Sequence, residues 1–112
     1  MERSPLTDST SAVAALGALA QEHRLAIFRL LVQAGEEGIS AGALAQTLGA
    51  PPSSLSFHLA QLKRAGLVQQ RRQHRSIVYT ANYPVMNALV GYLTENCCGG
   101  ERTPPPERRS RA

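Results

Sequence analysis

The residues able to do chemistry lie in a few places. Cys97 and Cys98 are adjacent, and they are the only thiols in 112 residues. Two cysteines scattered at random would be neighbours in only about one chain in fifty, so the pairing asks for a reason. Neighbouring Cα atoms stand about 3.8 Å apart, closer than disulfides usually prefer. Two adjacent thiolates suit a soft, thiophilic centre better than a structural bridge. The plain alternative is two inert cysteines at a frayed helix end. The second concentration is cationic. Between Gly38 and Thr94 there is no Asp or Glu, yet Lys63, Arg64, Arg71, Arg72 and Arg75 all fall there. The formal charge of +4 hides this, because acids such as Glu22, Glu36, Glu37 and Glu95 flank the block. An acid-free basic block favours a polyanion such as DNA or RNA. A solvated basic face is the alternative. No Ser-His-Asp set, paired acid or Gly-rich phosphate loop is present, which argues against an enzyme.

These residues need a scaffold, and 112 residues allow one ordinary domain. Hydrophobic residues make up 43%, enough for a globular core, and aromatics only 4%, so that core is aliphatic. No apolar run approaches 18 residues, which excludes an ordinary membrane-spanning helix. The longest, Ala12 to Ala20, follows Glu2 and Asp8 instead of a basic segment, so no secretory signal is read and a cytoplasmic protein is expected. Residues 1–8 read as a flexible lead, 9–98 as the folded domain and 99–112 as a disordered tail containing Pro104, Pro105 and Pro106.

Within the domain, Asp8 or Ser9 can cap a helix through about Ala20. A second helix fits Glu22 to Ala34, with Leu25, Phe28, Leu31 and Val32 at helical spacing and Gly35 as its stop. Ser40 can cap a short third helix to about Leu48. Pro51 and Pro52 suit entry into a fourth, from about Ser53 to Ala65, with Leu55, Leu59 and Leu62 as its buried stripe. Leu67 to Arg72 and Ser76 to Ala81 read as two strands. Asn82 and Pro84 open a last helix to about Cys98, with Val85, Leu89 and Leu93 along one side. The fold class is therefore mainly α with a small β-hairpin. A short helix, a tight turn and a longer helix give helix-turn-helix spacing, and the hairpin supplies a wing.

With the leucine stripe inward, the fourth helix turns Ser53, Phe57, Ala60 and Arg64 outward, flanked by Ser54, Gln61 and Ser56. Such a surface can enter a major groove, with Gln61 placed for adenine and Phe57 for a thymine methyl. Helix N-termini also favour phosphate. Each serine equally fits capping or solvation. His58 lies nearer the buried side, where it fits a packed histidine as well as a DNA contact. Arg71, Arg72 and Arg75 are expected at the hairpin tip, clamping phosphates or entering a minor groove. A hairpin kept soluble by charge is the alternative.

The stretch Ser53-Ser-Leu-Ser-Phe-His-Leu-Ala-Gln-Leu-Lys-Arg-Ala-Gly-Leu-Val68 resembles the recognition-helix signature of the arsenical-resistance repressor family (ArsR/SmtB). The run His-Arg-Leu-Ala-Ile-Phe-Arg-Leu-Leu from His23 is similar to that family's second helix, and Arg71 to Tyr79 to its wing. The resemblance covers about residues 10–98. It implies a DNA-binding homodimer joined through the first and last helices, which releases double-stranded operator DNA when it binds a metal or metalloid. Many arsenic sensors of the family carry thiols on the third helix. Here Ile39 to Leu48 contains no Cys and no His, so the resemblance leaves Cys97 and Cys98 as the metal ligands. Inorganic arsenite bound through sulfur usually takes three thiolates, whereas methylarsenite needs two. Trivalent arsenic, as arsenite or methylarsenite, is therefore the expected inducer, and antimonite a close competitor. Tetrahedral zinc would want four N or S ligands, and only His58 and His74 remain. A redox or reactive-sulfur switch on the same dithiol is the alternative reading.

Overall fold

A computed structural model of the chain describes residues 9–99. The expected lead, 1–8, and all but Gly99 of the expected tail lie outside the described residues. The elements run α1 (Ser9–Leu19), α2 (Glu22–Ala34), β1 (Ile39–Ser40), α3 (Ala41–Leu48), α4 (Pro52–Arg64), β2 (Val68–Gln73), β3 (Ser76–Ala81) and α5 (Tyr83–Thr94), with a 3-10 turn at Gly35–Glu37 after α2. Local chemistry explains most boundaries. The Gln21 side chain accepts from the Arg24 N–H to start α2, Ser40 Oγ accepts from Ala43 N–H to start α3, and Asn82 Oδ1 accepts from Val85 N–H to start α5. Pro52 occupies the first turn of α4, where its missing N–H loses no helical bond.

Leucines dominate the core. Leu31 of α2, Leu44 of α3, Leu62 of α4 and Leu67 before β2 are wholly buried, as is Ala15 of α1. Leu55 and Leu59 join Leu62, so the stripe read from spacing does face inward. Each such side chain contributes roughly 1.5–3 kcal/mol by leaving water. Two positions of the apolar stripes on α2 and α5 are not buried. Leu25 is 44% exposed and Leu93 58%. Helical spacing groups apolar residues on a face, but it does not say whether the same chain covers that face.

The hairpin pairs antiparallel in register from Val68↔Ala81 to Gln73↔Ser76. A third strand, β1, was not expected. Its two residues pair with β3 as Ile39↔Tyr79 and Ser40↔Val78, giving sheet order β1-β3-β2. Two residues are too few to show alternation in a sequence. Gly38 makes the approach possible: at φ 71 a Cβ there would run into the Tyr79 carbonyl oxygen and the side chains of Val78 and Thr80. Tyr83 ties α5 back, its hydroxyl donating to the carbonyls of Leu31 and Val32 at 3.3 and 3.0 Å.

The last helix ends sooner than expected, at Thr94 instead of Cys98. Thr94 Oγ1 bonds back to the Val90 carbonyl at 2.9 Å, Glu95 is extended, and Asn96 turns left-handed with φ 60. Asparagine tolerates that conformation better than most residues, which is how the chain leaves the helix here. No helix among the described residues is long and apolar enough to cross a membrane.

Candidate functional site

Helix α3, the turn through Gly49 to Pro51 and helix α4 form the helix-turn-helix. Gly49 is left-handed (φ 63), closing α3, and Leu44 and Leu55 lock the two helices together in the core. Helix α4 has an exposed face along its whole length, opposite its leucines. Ser53, Ser56 and Phe57 are exposed, Phe57 by 57%, while Ser54 is half-buried. No acid stands in the first turn, so the positive end of the helix is open to an anion. Beyond an edge contact with the His58 ring, Phe57 presents its face outward, where it suits an apolar base edge.

The C-terminal half of α4 is placed differently. Gln61 and Arg64 line a cleft of about 220 Å³ against α1, opposite Ala14, Gly17 and Ala18 and beside Arg24. They therefore stand apart from the outward serines. His58 is half-buried and faces α2, not the open side. Its Nδ1 lies 3.3 Å from Arg24 Nη1, and its ring stacks on His23 at 5.4 Å. Burial first, then the charges of Arg24 and His23, holds its pKa below the ordinary histidine value. Arg24, His23 and Gln21 were not singled out from the sequence. A His-Arg pair in the first turn of a helix reads as solvated surface, and its partner is 34 residues away.

The wing also divides its arginines. Its turn is His74-Arg75, with His74 at φ 59. Arg72 and Arg75 are exposed at and beside it. Arg71, expected at the tip with them, is instead a strut at the side of the sheet. Its Nη1 and Nη2 donate to the carbonyls of Glu36 and Glu37 at 3.4 and 3.0 Å, and its Nε to Gln73 Oε1 at 3.2 Å. Strand alternation explains this: Arg71 shares the Val78 face, towards the 3-10 turn, while Arg72 takes the Ile77 face.

Cys97 and Cys98 lie in the exposed turn beyond α5, with Cys98 left-handed at φ 60 and their Sγ atoms 3.7 Å apart. Two sulfurs each about 2.3 Å from one soft centre stand roughly 3.2–3.8 Å apart for bond angles near 90–110°. The pair already has that bite. Among the described residues, no group of three His, Cys, Asp or Glu could hold a metal ion. Just before the thiols, α5 exposes Val90 by 55% and Leu93 by 58%. Helix α1, which packs on α5, exposes Val13 by 64% and Leu16 by 40%. Large aliphatics at i and i+3 on two touching helices form an apolar face that none of the other described residues covers.

Comparison with known proteins agrees with this geometry. A helix-turn-helix domain model matches residues 19–71. The transcriptional activator HlyU of Vibrio cholerae is 35% identical over 91 residues, covering 81% of this chain and 82% of the relative. A solved structure of reduced HlyU from that organism superposes with a TM-score of 0.62 at 32% identity, covering 78% of this chain and 90% of the other. An ArsR-like transcriptional regulator from Rhodococcus superposes with a TM-score of 0.69 at 28% identity, covering 76% and 77%. The homodimeric winged helix-turn-helix DNA-binding domain of Mb0332 from Mycobacterium bovis, a possible ArsR-family regulator, gives 0.62 at 30% identity over 85% and 89%. With its short α3, projecting α4 and arginine-bearing hairpin, the chain belongs to the ArsR family of winged helix-turn-helix transcriptional regulators, proteins that act by binding DNA.

Proposed function

We propose that this chain is a homodimeric repressor that leaves its operator when trivalent arsenic binds Cys97 and Cys98. The observation that carries the sensing half is the bite: two exposed sulfurs 3.7 Å apart on consecutive residues. Methylarsenite, which needs two sulfurs, fits this pair directly. Arsenite needs a third ligand, from a small thiol, solvent or the second protomer, and antimonite shares its chemistry. Bound arsenic supplies two strong sulfur bonds that hold both thiolates at one centre. Forming them releases the thiol protons, so affinity depends on pH.

The dimer is proposed through the exposed stripes of α1 and α5, a face whose burial offsets its exposure in the monomer. The Mycobacterium neighbour is a homodimer of the same fold. Paired α4 helices then enter successive major grooves. Ser53, Ser56 and Phe57 meet base edges there, with Ser54 behind them, and Arg72 and Arg75 hold phosphates. Gln61 and Arg64, further along α4, reach only the flank of the groove. The thiols follow Leu93 by a few residues, so a ligand there bears on the dimer face. It releases DNA only insofar as it binds the non-DNA geometry more tightly.

The test is a reporter behind the chain's own operator, with wild type, Cys97→Ser, Cys98→Ser and the double variant carrying both. The expected result is full repression in all four and induction by methylarsenite in wild type alone. Induction persisting in the double variant would sink the sensing claim. Because HlyU is an activator, the same reporter reads the direction of control: expression that falls on deleting the protein would contradict repression.

A second reading has one observation in its favour. The HlyU relative has been solved in a reduced form, and thiols 3.7 Å apart can be oxidised together. They would lose two protons and two electrons to a peroxide or a similar two-electron oxidant, forming one S–S bond. Release of DNA by peroxide, reversed by a dithiol and absent with arsenicals, would favour this reading.

A further inference from the structure

One cluster of polar contacts belongs neither to the DNA-facing surface nor to the thiols. Arg24, in the first turn of α2, lies between three helices. Its Nε donates to the Ala18 carbonyl, near the end of α1, at 2.7 Å. Its Nη1 reaches His58 Nδ1 on α4 at 3.3 Å. The His58 ring stacks on His23 with an interplanar angle of 12° and meets Phe57 edge-on at 5.7 Å. The neighbour of the exposed Phe57 is thus clamped to α2.

Arginine is a donor and never an acceptor. The Arg24–His58 contact is therefore a hydrogen bond only while His58 Nδ1 carries no proton. Protonation turns that acceptor into a donor and sets two cations against each other. The groups facing His58 do not offset this. From α2 come Arg24 and His23, with the exposed Glu22 beside them in the same first turn. Helices α1 and α3 carry no ionisable side chain. On α4 itself the charged residues are Lys63 and Arg64, over a turn away. From β2, Arg71 is held at the Glu36 and Glu37 carbonyls and Arg72 is exposed in the wing.

We propose that Arg24 and His58 form a positioning link that fixes the recognition helix to the α1–α2 corner, and that protonating His58 opens the link and weakens DNA binding. The inference rests on α4 being the helix that reads DNA. Its sign is diagnostic. An imidazole touching phosphate would strengthen binding on gaining charge, because cations near the backbone raise affinity. A positioning histidine does the reverse. The lowered pKa of His58 fits a neutral ring in the intact link. A histidine with a depressed folded pKa supports the arrangement above its ordinary value and loses it as pH falls through the folded value.

The experiment measures affinity for a duplex selected by wild-type protein from a random-sequence pool at neutral pH, at constant ionic strength from about pH 8 to 5.5. Wild type should lose affinity on acidification relative to His58→Asn, by at most about tenfold per protomer, because a ring that titrates below the ordinary histidine value is at most about one pH unit past its midpoint at pH 5.5. Asn retains an acceptor near the Nδ1 position without titrating, so His58→Asn should bind like wild type at high pH. Arg24→Met should weaken binding at high pH and flatten the profile. Identical profiles for wild type and His58→Asn, or wild type gaining affinity over it on acidification, would overturn the link. If His58→Asn folds poorly, NMR titration of the wild-type protein decides instead. The Ala18 and Arg24 amide signals should move in step with the His58 ring, and their staying fixed would also overturn the link. A wild-type protein that selects no duplex at any pH refutes the DNA reading, and the NMR arm then still decides the link.

Discussion

Arg72→Ala should change the salt dependence of DNA binding, and Arg71→Ala should not. The two residues are neighbours in one strand with the same charge, and only the structure separates them. The Arg71 guanidinium spends three of its donors on Glu36 O, Glu37 O and Gln73 Oε1, whereas Arg72 is exposed on the other face beside the turn. Each phosphate neutralised by a cation contributes about 0.9 to the slope of log affinity against log salt. A dimer carries two copies of Arg72, so Arg72→Ala should lower the slope by about 1.8. Scaled from 1 M to about 0.15 M salt, that is roughly thirtyfold weaker binding. Arg71→Ala removes a strut from the wing, so affinity should fall by a similar factor at every salt concentration, with the slope changed by less than about 0.5. Fluorescence anisotropy from about 0.05 to 0.3 M salt covers the range where the difference is large. If Arg71→Ala lowers the slope as much as Arg72→Ala, or Arg72→Ala leaves it unchanged, the division of labour in the wing is wrong.

Gly38→Ala should destabilise the domain by roughly 2–4 kcal/mol, from a left-handed φ and overlap with the Tyr79 carbonyl. Gly49→Ala has the same handedness but open space, so thermal melting should show it losing only about 1 kcal/mol; equal losses would deny the close approach of Gly38. Tyr83→Phe removes the hydroxyl that bonds Leu31 O and Val32 O, and denaturant unfolding should report about 1 kcal/mol less stability. Leu93→Glu places a charge in the exposed stripe of α5; sedimentation should then find monomer, and an unaltered dimer would move the interface elsewhere.

Much of the scaffold was legible because its signals are local. Ser40 and Asn82 announce their helices by capping them, the Leu55, Leu59 and Leu62 stripe shows a helical period, and Ile77 to Thr80 show strand preference. What was not legible depends on distant partners. Arg24 meets His58 across 34 residues, and Arg71 meets Glu37 across 34. Neither spacing has a sequence signature. Strand β1 is two residues long, and its evidence is the Gly38 approach to β3. The early end of α5 coincides with the Thr94 hydroxyl bonding back to the Val90 carbonyl and with the left-handed Asn96, whereas the sequence reading carried the helix on to the thiols, up to the glycine pair after them. Val90 and Leu93 illustrate the remaining limit, since an aliphatic stripe looks the same whether it meets its own core or a second subunit.

The central claim is that two adjacent thiols beyond α5 control a DNA-binding dimer. Its most direct test is release of a bound, fluorescently labelled operator duplex by methylarsenite under anaerobic, thiol-free conditions. Wild type should release the duplex at one equivalent per protomer, while Cys97→Ser and Cys98→Ser bind it normally and hold it. Wild type that keeps its DNA at saturating arsenical, or a double variant that lets go as readily as wild type, would contradict the account.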